Sequence, residues 1–202
     1  HPNFIHVTLG LHPIHIPDLT NQQLEEYLEF IMENKHRIVG IGEIGLDYYW
    51  IKETEKIQRT REVFLRLLDL AKEANLPIVL HFREALEEGF KTVANRGIKK
   101  AVFHCFSGKR PLAQEIVSEG YCISIAPNIF KSKDVKKAIK VIPLEKMLTE
   151  TDSPYLGVGG KRGIPQNVRL VIDRIAELKR TNPEKVKEVT TKNAIEFFKL
   201  SI

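Results

Sequence analysis

The sequence predicts an α/β fold built on a parallel sheet, and three observations lead there. Six short apolar runs of five to seven residues, rich in β-branched side chains, recur along the chain. Longer amphipathic segments separate them. The short runs also end repeatedly in Glu, His or Asp, as strands do when their carboxyl ends share one edge. Strand and helix alternating through one chain indicate βα units, a pattern that both a doubly wound sheet and a barrel satisfy.

In order, the first strand is "FIHVTLG" (4–10), and the segment 20–34 is the first helix candidate. "IVGIGE" (38–43) reads as a buried strand whose Gly40 and Gly42 leave little side chain, with a carboxylate, Glu43, where another apolar residue is expected. Behind it stand Asp47, Tyr48, Tyr49 and Trp50, read as a loop leading out over the strand end. "TREVFLRLLDLAKEAN" (60–75) places Val63, Phe64, Leu67, Leu68 and Ala71 on one helical face, and Pro77 follows as the stop. Strands "PIVLHF" (77–82), "KAVFHCF" (100–106), "YCISIA" (121–126) and "KMLTETD" (146–152) alternate with helix candidates at 84–96, 110–119 and 131–141. Two amphipathic helices close the chain, the first with Val168, Val171, Ile172, Ile175 and Leu178 in one stripe. They are expected to cover the sheet, an interaction face being the alternative. Gly40, Gly42 and Gly45 are interrupted by an acid and lead to no immediate helix, so the glycine-rich dinucleotide loop lacks its main signature.

With 202 residues, 43% hydrophobic and 28% charged, the chain has material for one domain, 1–202, with a sizeable core. No run approaches the roughly 18 apolar residues of a membrane span, and no basic-then-apolar leader is visible, so a cytoplasmic protein without membrane contact is expected. Cys105 and Cys122 lie in apolar segments without a second pair, which argues against a disulfide framework or zinc ribbon and for buried thiols. A net charge of +5 fits an anionic substrate but is common among soluble proteins. Residue 1 is His, and the only methionines are Met32 and Met147, so the chain is expected to be a piece of something longer.

Glu43, His81, His104 and Asp152 each close a strand, and His12 lies just beyond the first. A lone histidine or aspartate there has an ordinary explanation as a hydrogen-bonded core residue or a turn former. Four together argue differently, because buried carboxylates cost several kcal/mol each unless paired or metal-bound. Imidazole plus carboxylate suits zinc, manganese or magnesium, and a bridged pair of such cations suits hydrolysis of a phosphate ester.

In order, "GLHP" (10–13), "GEIGLDYY" (42–49), "LPIVLHFREA" (76–85), "FHCFSG" (103–108) and "TETDSPYL" (149–156) resemble the motifs of the TatD-type metal-dependent deoxyribonucleases of the amidohydrolase superfamily, across essentially the whole chain. The resemblance implies a TIM-like (β/α) barrel with its site at the carboxyl face, incomplete in this chain at about six of eight strands. It further implies two divalent cations (magnesium, manganese or zinc), with Glu43 as the bridging, catalytic ligand. His81 and His104 would hold one cation, and Asp152 would ligate the other and act as general base. His12, Arg83, Tyr155 and Arg162 become contacts to substrate or its phosphates. The implied reaction is cleavage of DNA phosphodiester bonds from a chain end. The implied assembly is a monomer or weak oligomer, with strand edges open to pairing.

Two departures bear on this expectation. The family's first strand carries a His-x-His pair, whereas here "LHPIH" has His12 and His15 three apart, in the later motif. The resemblance therefore leads to the expectation that about two amino-terminal βα units of the family fold are missing from this chain. "GKRGIPQNV" (160–168) stands where the family has Asn-Glu-Pro. Hydrolysis of a small ester, lactone or amide, and a non-catalytic metal- or nucleic-acid-binding remnant, are the alternative readings.

Overall fold

The structure is a computed structural model and describes residues 4–201. The chain divides into two compact units, His1–Val102 with Phe198–Ile202, and Phe103–Phe197.

In the first unit the strands are β1 (Thr8–Leu9), β2 (Gly40–Asp47), β3 (Ile78–Arg83) and β4 (Ala101–Phe103), of which Phe103 belongs to the second unit. They pair in sequence order, and β1, β2 and β3 run parallel. Crossovers are made by α1 (Asn21–Glu33), α2 (Thr54–Ala74) and α3 (Leu86–Asn95). Thr20 caps α1 in a reciprocal box: its hydroxyl accepts the Gln23 amide, and the Gln23 side chain accepts the Thr20 amide. The predicted stripe of α2, Val63, Phe64, Leu67, Leu68 and Ala71, is buried throughout, with Phe64 edge-on to Phe82 at 5.7 Å.

Several boundaries differ from expectation. β4 stops at Phe103 and the last strand, Met147–Thr149, stops three residues short of Asp152, so His104 and Asp152 lie in the segments after their strands and do not close them. α2 begins at Thr54, six residues early, because "TEKIQR" carries no apolar stripe and is held by polar contacts instead. Arg59 there donates to the Leu19 carbonyl (2.7 Å), the Ile16 carbonyl (3.5 Å) and the Asn21 side chain (3.0 Å). β1 is two residues long, and Phe4, Ile5 and Val7 before it are exposed. β2 runs on through Glu43 to Asp47, so Asp47 ends a strand and does not belong to a loop.

The extension of β2 involves a bulge. Ile41 pairs with Ile78 and Ile44 with Leu80, so three steps on β2 match two on β3. Glu43 sits in that irregularity as the one incompletely buried residue of the strand. Glycine lets the backbones close around it: a Cβ on Gly42 would meet the Val79 Cβ at 2.5 Å, and one on Gly45 would meet the His81 carbonyl oxygen at 1.8 Å.

In the second unit β5 (Cys122–Ile125) and β6 (Met147–Thr149) pair in parallel. The helices are α4 (Arg110–Ser118), α5 (Lys133–Val141), α6 (Val168–Lys179) and α7 (Pro183–Phe198). The Ser132 hydroxyl caps α5 by accepting the Val135 amide, and the Asn193 side chain of α7 donates to the carbonyls of Leu144 and Met147. Of the predicted α6 stripe, Val171 and Ile175 are buried, while Val168, Ile172 and Leu178 are half-buried. Both cysteines are half-buried rather than fully enclosed. No described helix is long and apolar enough to cross a membrane.

Candidate metal centres

In the first unit, ligand atoms of His12, Glu43 and His81 all lie within 4.8 Å of one another. His12 follows β1 and caps the 3-10 turn Pro13–Asp18, its Nδ1 accepting the Ile14 amide at 3.4 Å. Burial first, then the neighbouring His81, pushes the His12 imidazole down to about 4, so it is neutral near pH 7. Its ring lies 4.3 Å from that of His81, centroid to centroid.

His81 on β3 is addressed on both ring nitrogens. Nε2 lies 3.1 Å from Asp47 Oδ2, and Nδ1 lies 3.6 Å from Glu43 Oε2. Asp47 is 1% exposed, and its other oxygen, Oδ1, accepts the amides of Tyr49 (3.0 Å) and Trp50 (3.1 Å). A carboxylate fixed in this way accepts the Nε2 proton, which leaves the Nδ1 lone pair on the side of Glu43.

The second unit repeats the arrangement with other residues. The ligand atoms of His104, Cys105 and Asp152 lie within 4.8 Å of one another. His104 Nδ1 contacts Glu150 Oε2, and its Nε2 lies 3.3 Å from Asp152 Oδ1. Glu150 Oε1 accepts the Cys105 amide at 2.7 Å. Here too one carboxylate is tied to the backbone and grips the imidazole, while another faces its second nitrogen.

The donor sets suit a divalent cation. Two ligands about 2.1 Å from a shared tetrahedral ion stand about 3.4 Å apart. The 3.6 Å between His81 and Glu43 and the 3.3 Å between His104 and Asp152 match that spacing. Two imidazoles with a carboxylate fit a hard or borderline ion, and the Cys105 sulfur, absent from the expected donor set, gives the second cluster a softer member.

Of the predicted residues, Glu43 and His81 fall in the first cluster, with His12 among the ligand atoms. His104 and Asp152 fall in the second. Arg83 ends β3 and stacks its guanidinium 3.6 Å from the Tyr49 ring centroid. Tyr155 is 72% exposed, its amide bonded to the Asp152 carbonyl at 2.8 Å, and Arg162 is exposed in the turn 157–163. Sequence reasoning passed over Asp47 and Glu150 as site residues. The available signal was a second acid close to each expected ligand, in "GEIGLD" and "TETD".

A family model described as TatD related DNase matches residues 1–199. The chain belongs to the TatD-related DNase family. Among curated relatives, an uncharacterized metal-dependent hydrolase of Methanocaldococcus jannaschii is 41% identical over 96% of this chain and 76% of its own length. The human deoxyribonuclease TATDN3 is 35% identical over 96% of this chain and 74% of its own. The crystal structure of the TatD homolog YJJV from Escherichia coli superposes with a TM-score of 0.87 at 27% identity, over 97% of this chain and 77% of that one. The TatD likeness agrees with the TIM-like α/β class expected from the sequence.

Proposed function

We propose that this TatD-family hydrolase cleaves phosphodiester bonds of DNA, acting from a chain end, with Glu43, His81, His104 and Asp152 as metal ligands. The observation that carries the reading is the repeated carboxylate–imidazole–carboxylate arrangement, once on β2 and β3 and once in the segments that follow β4 and β6. The family match and the name of the human relative support DNA as the substrate.

A divalent cation held by these residues would supply Lewis acidity for a phosphoryl oxygen and for water near neutral pH. The chain's own residues do the rest. Asp47 and Glu150 hold the imidazoles in one orientation, so the ligating nitrogens need no reorganisation when substrate binds. Neutral His12 adds a third donor beside Glu43 and His81. Asp152 is half-buried and faces His104, and the reading assigns it to take the proton of the attacking water. Tyr155 and Arg162 lie in the exposed segment that follows Asp152, and Arg162 is assigned to the phosphates.

A labelled oligonucleotide incubated with magnesium or manganese tests this reading. Cleavage should fall at least a hundredfold, on the order of the loss of one catalytic group, in Glu43→Ala and Asp152→Asn. Equal cleavage by the wild type and both variants would remove the site assignment.

A further inference from the structure

The geometry points to a nucleotide-binding subsite beside the first cluster, in which Arg83 takes a phosphate and Trp50 stacks on a base. This subsite rests on the DNA reading above and adds its recognition element. β3 alternates buried and less buried residues, with Val79, His81 and Arg83 on one face. His81 and Arg83 therefore share a side of the strand, about 6.6 Å apart along it.

Arg83 differs from the other arginines of its unit. Arg61, Arg66 and Arg96 pair with Glu88, Glu25 and Asp69, Arg59 holds carbonyls, and Arg37 donates to the Asn34 side chain. Among the described residues the Arg83 side chain donates to no acceptor and forms no ion pair. It is nonetheless fixed, because its guanidinium lies 3.6 Å from the Tyr49 centroid and 5.7 Å from that of Trp50. Stacking sets the plane and leaves the edge N–H groups unspent, in the fork geometry that takes a phosphate. The adjacent Lys52 and Glu84 neutralise each other at 3.1 Å, so Arg83 carries the local positive charge.

The aromatic side is preset as well. The Tyr48 amide donates to the Arg83 carbonyl (2.8 Å), and Asp47 accepts the amides of Tyr49 and Trp50. The Ile51 amide returns to the Asp47 carbonyl (3.2 Å), and the Ile51 side chain is buried. Trp50, held on this turn perpendicular to Tyr49, is still 64% exposed. An indole displayed on a rigid turn beside an uncommitted guanidinium suits a base with its phosphate, since base stacking and phosphate pairing are separate contributions to affinity. Asp47 couples the two places: one oxygen fixes His81, the other fixes the platform.

Trp50 is the chain's single tryptophan, so the subsite has its own optical signal. The test titrates the whole chain, in EDTA to prevent turnover, with a short deoxyoligonucleotide while following tryptophan fluorescence. Saturable quenching is expected. An oligonucleotide of equal length made of abasic sites should bind without the quench. Arg83→Ala should weaken binding, read by anisotropy of a labelled strand, about tenfold, and Arg83→Lys should restore only part. Trp50→Ala should weaken binding of the normal strand about tenfold and leave the abasic strand unaffected. No quench at saturation, equal quenching by the abasic strand, or unchanged affinity in Arg83→Ala each overturns the subsite. Metal-dependent cleavage with a silent Trp50 would sink the subsite alone, whereas cleavage indifferent to Glu43→Ala would sink the DNA-hydrolase site.

Discussion

Asp47 shows how one buried carboxylate can serve structure and site together. Its Oδ1 saturates two backbone amides, and its Oδ2 sets the tautomer of His81. These duties separate in two substitutions. Asp47→Asn keeps the shape and one acceptor oxygen but cannot satisfy both the amides and the imidazole N–H. Manganese affinity, measured by calorimetric titration, should fall about 10- to 100-fold with little change in stability. Asp47→Ala also orphans the Tyr49 and Trp50 amides and should cost a further 1–3 kcal/mol, roughly, in urea unfolding. Equal metal affinity in Asp47→Asn and wild type would show that Asp47 does not orient His81. The role was hidden in the sequence because it depends on contacts across strands, 34 residues apart for Asp47–His81 and 45 for Glu150–Cys105. Glu43, His81, His104 and Asp152 stood out because each interrupts or closes an apolar run, a purely local signal.

At the scale of elements, apolar periodicity was readable and polar anchoring was not. The buried stripe of α2 follows directly from its spacing, and all six strands lie within their expected apolar runs or run past them at one end. The first six residues of α2 offered no such pattern. Their order depends on Arg59 reaching the chain ahead of α1, supported by the Thr60 hydroxyl donating to the Lys56 carbonyl at 2.8 Å. Arg59→Ala should therefore speed amide exchange across residues 54–60 selectively, and lower stability by about 2 kcal/mol, the weight of a charged donor on backbone carbonyls. Exchange unchanged in that turn would mean that helix propensity alone sustains it. The bulge in β2 escaped sequence reasoning for a related reason: an alternating pattern assumes an unbroken register, and Glu43 sits where the register slips.

For the whole chain, the distribution of ligands makes a stoichiometric prediction. Each unit contains its own set of three ligand-type residues and its own backbone-anchored carboxylate gripping a histidine. If the clusters are complete in themselves, wild-type protein stripped with chelator should take up two equivalents of zinc or manganese. Glu43→Ala and Asp152→Ala should each retain one. Removal of both carboxylates should leave none. Binding must also appear as stability, since an ion that favours the folded state adds about 2.7 kcal/mol at a hundred times its dissociation constant. The melting temperature should thus rise with metal in the wild type, rise less in either single variant and stay flat in the double. The donor chemistry separates the two sites further, because only the second set includes a thiol. Cobalt should give a sulfur-to-metal charge-transfer band that survives Glu43→Ala and disappears in Cys105→Ser, while the first site continues to bind. A single equivalent in the wild type, lost equally in both single variants, would mean that neither cluster binds without the other's ligands, and the two-site assignment would have to be abandoned.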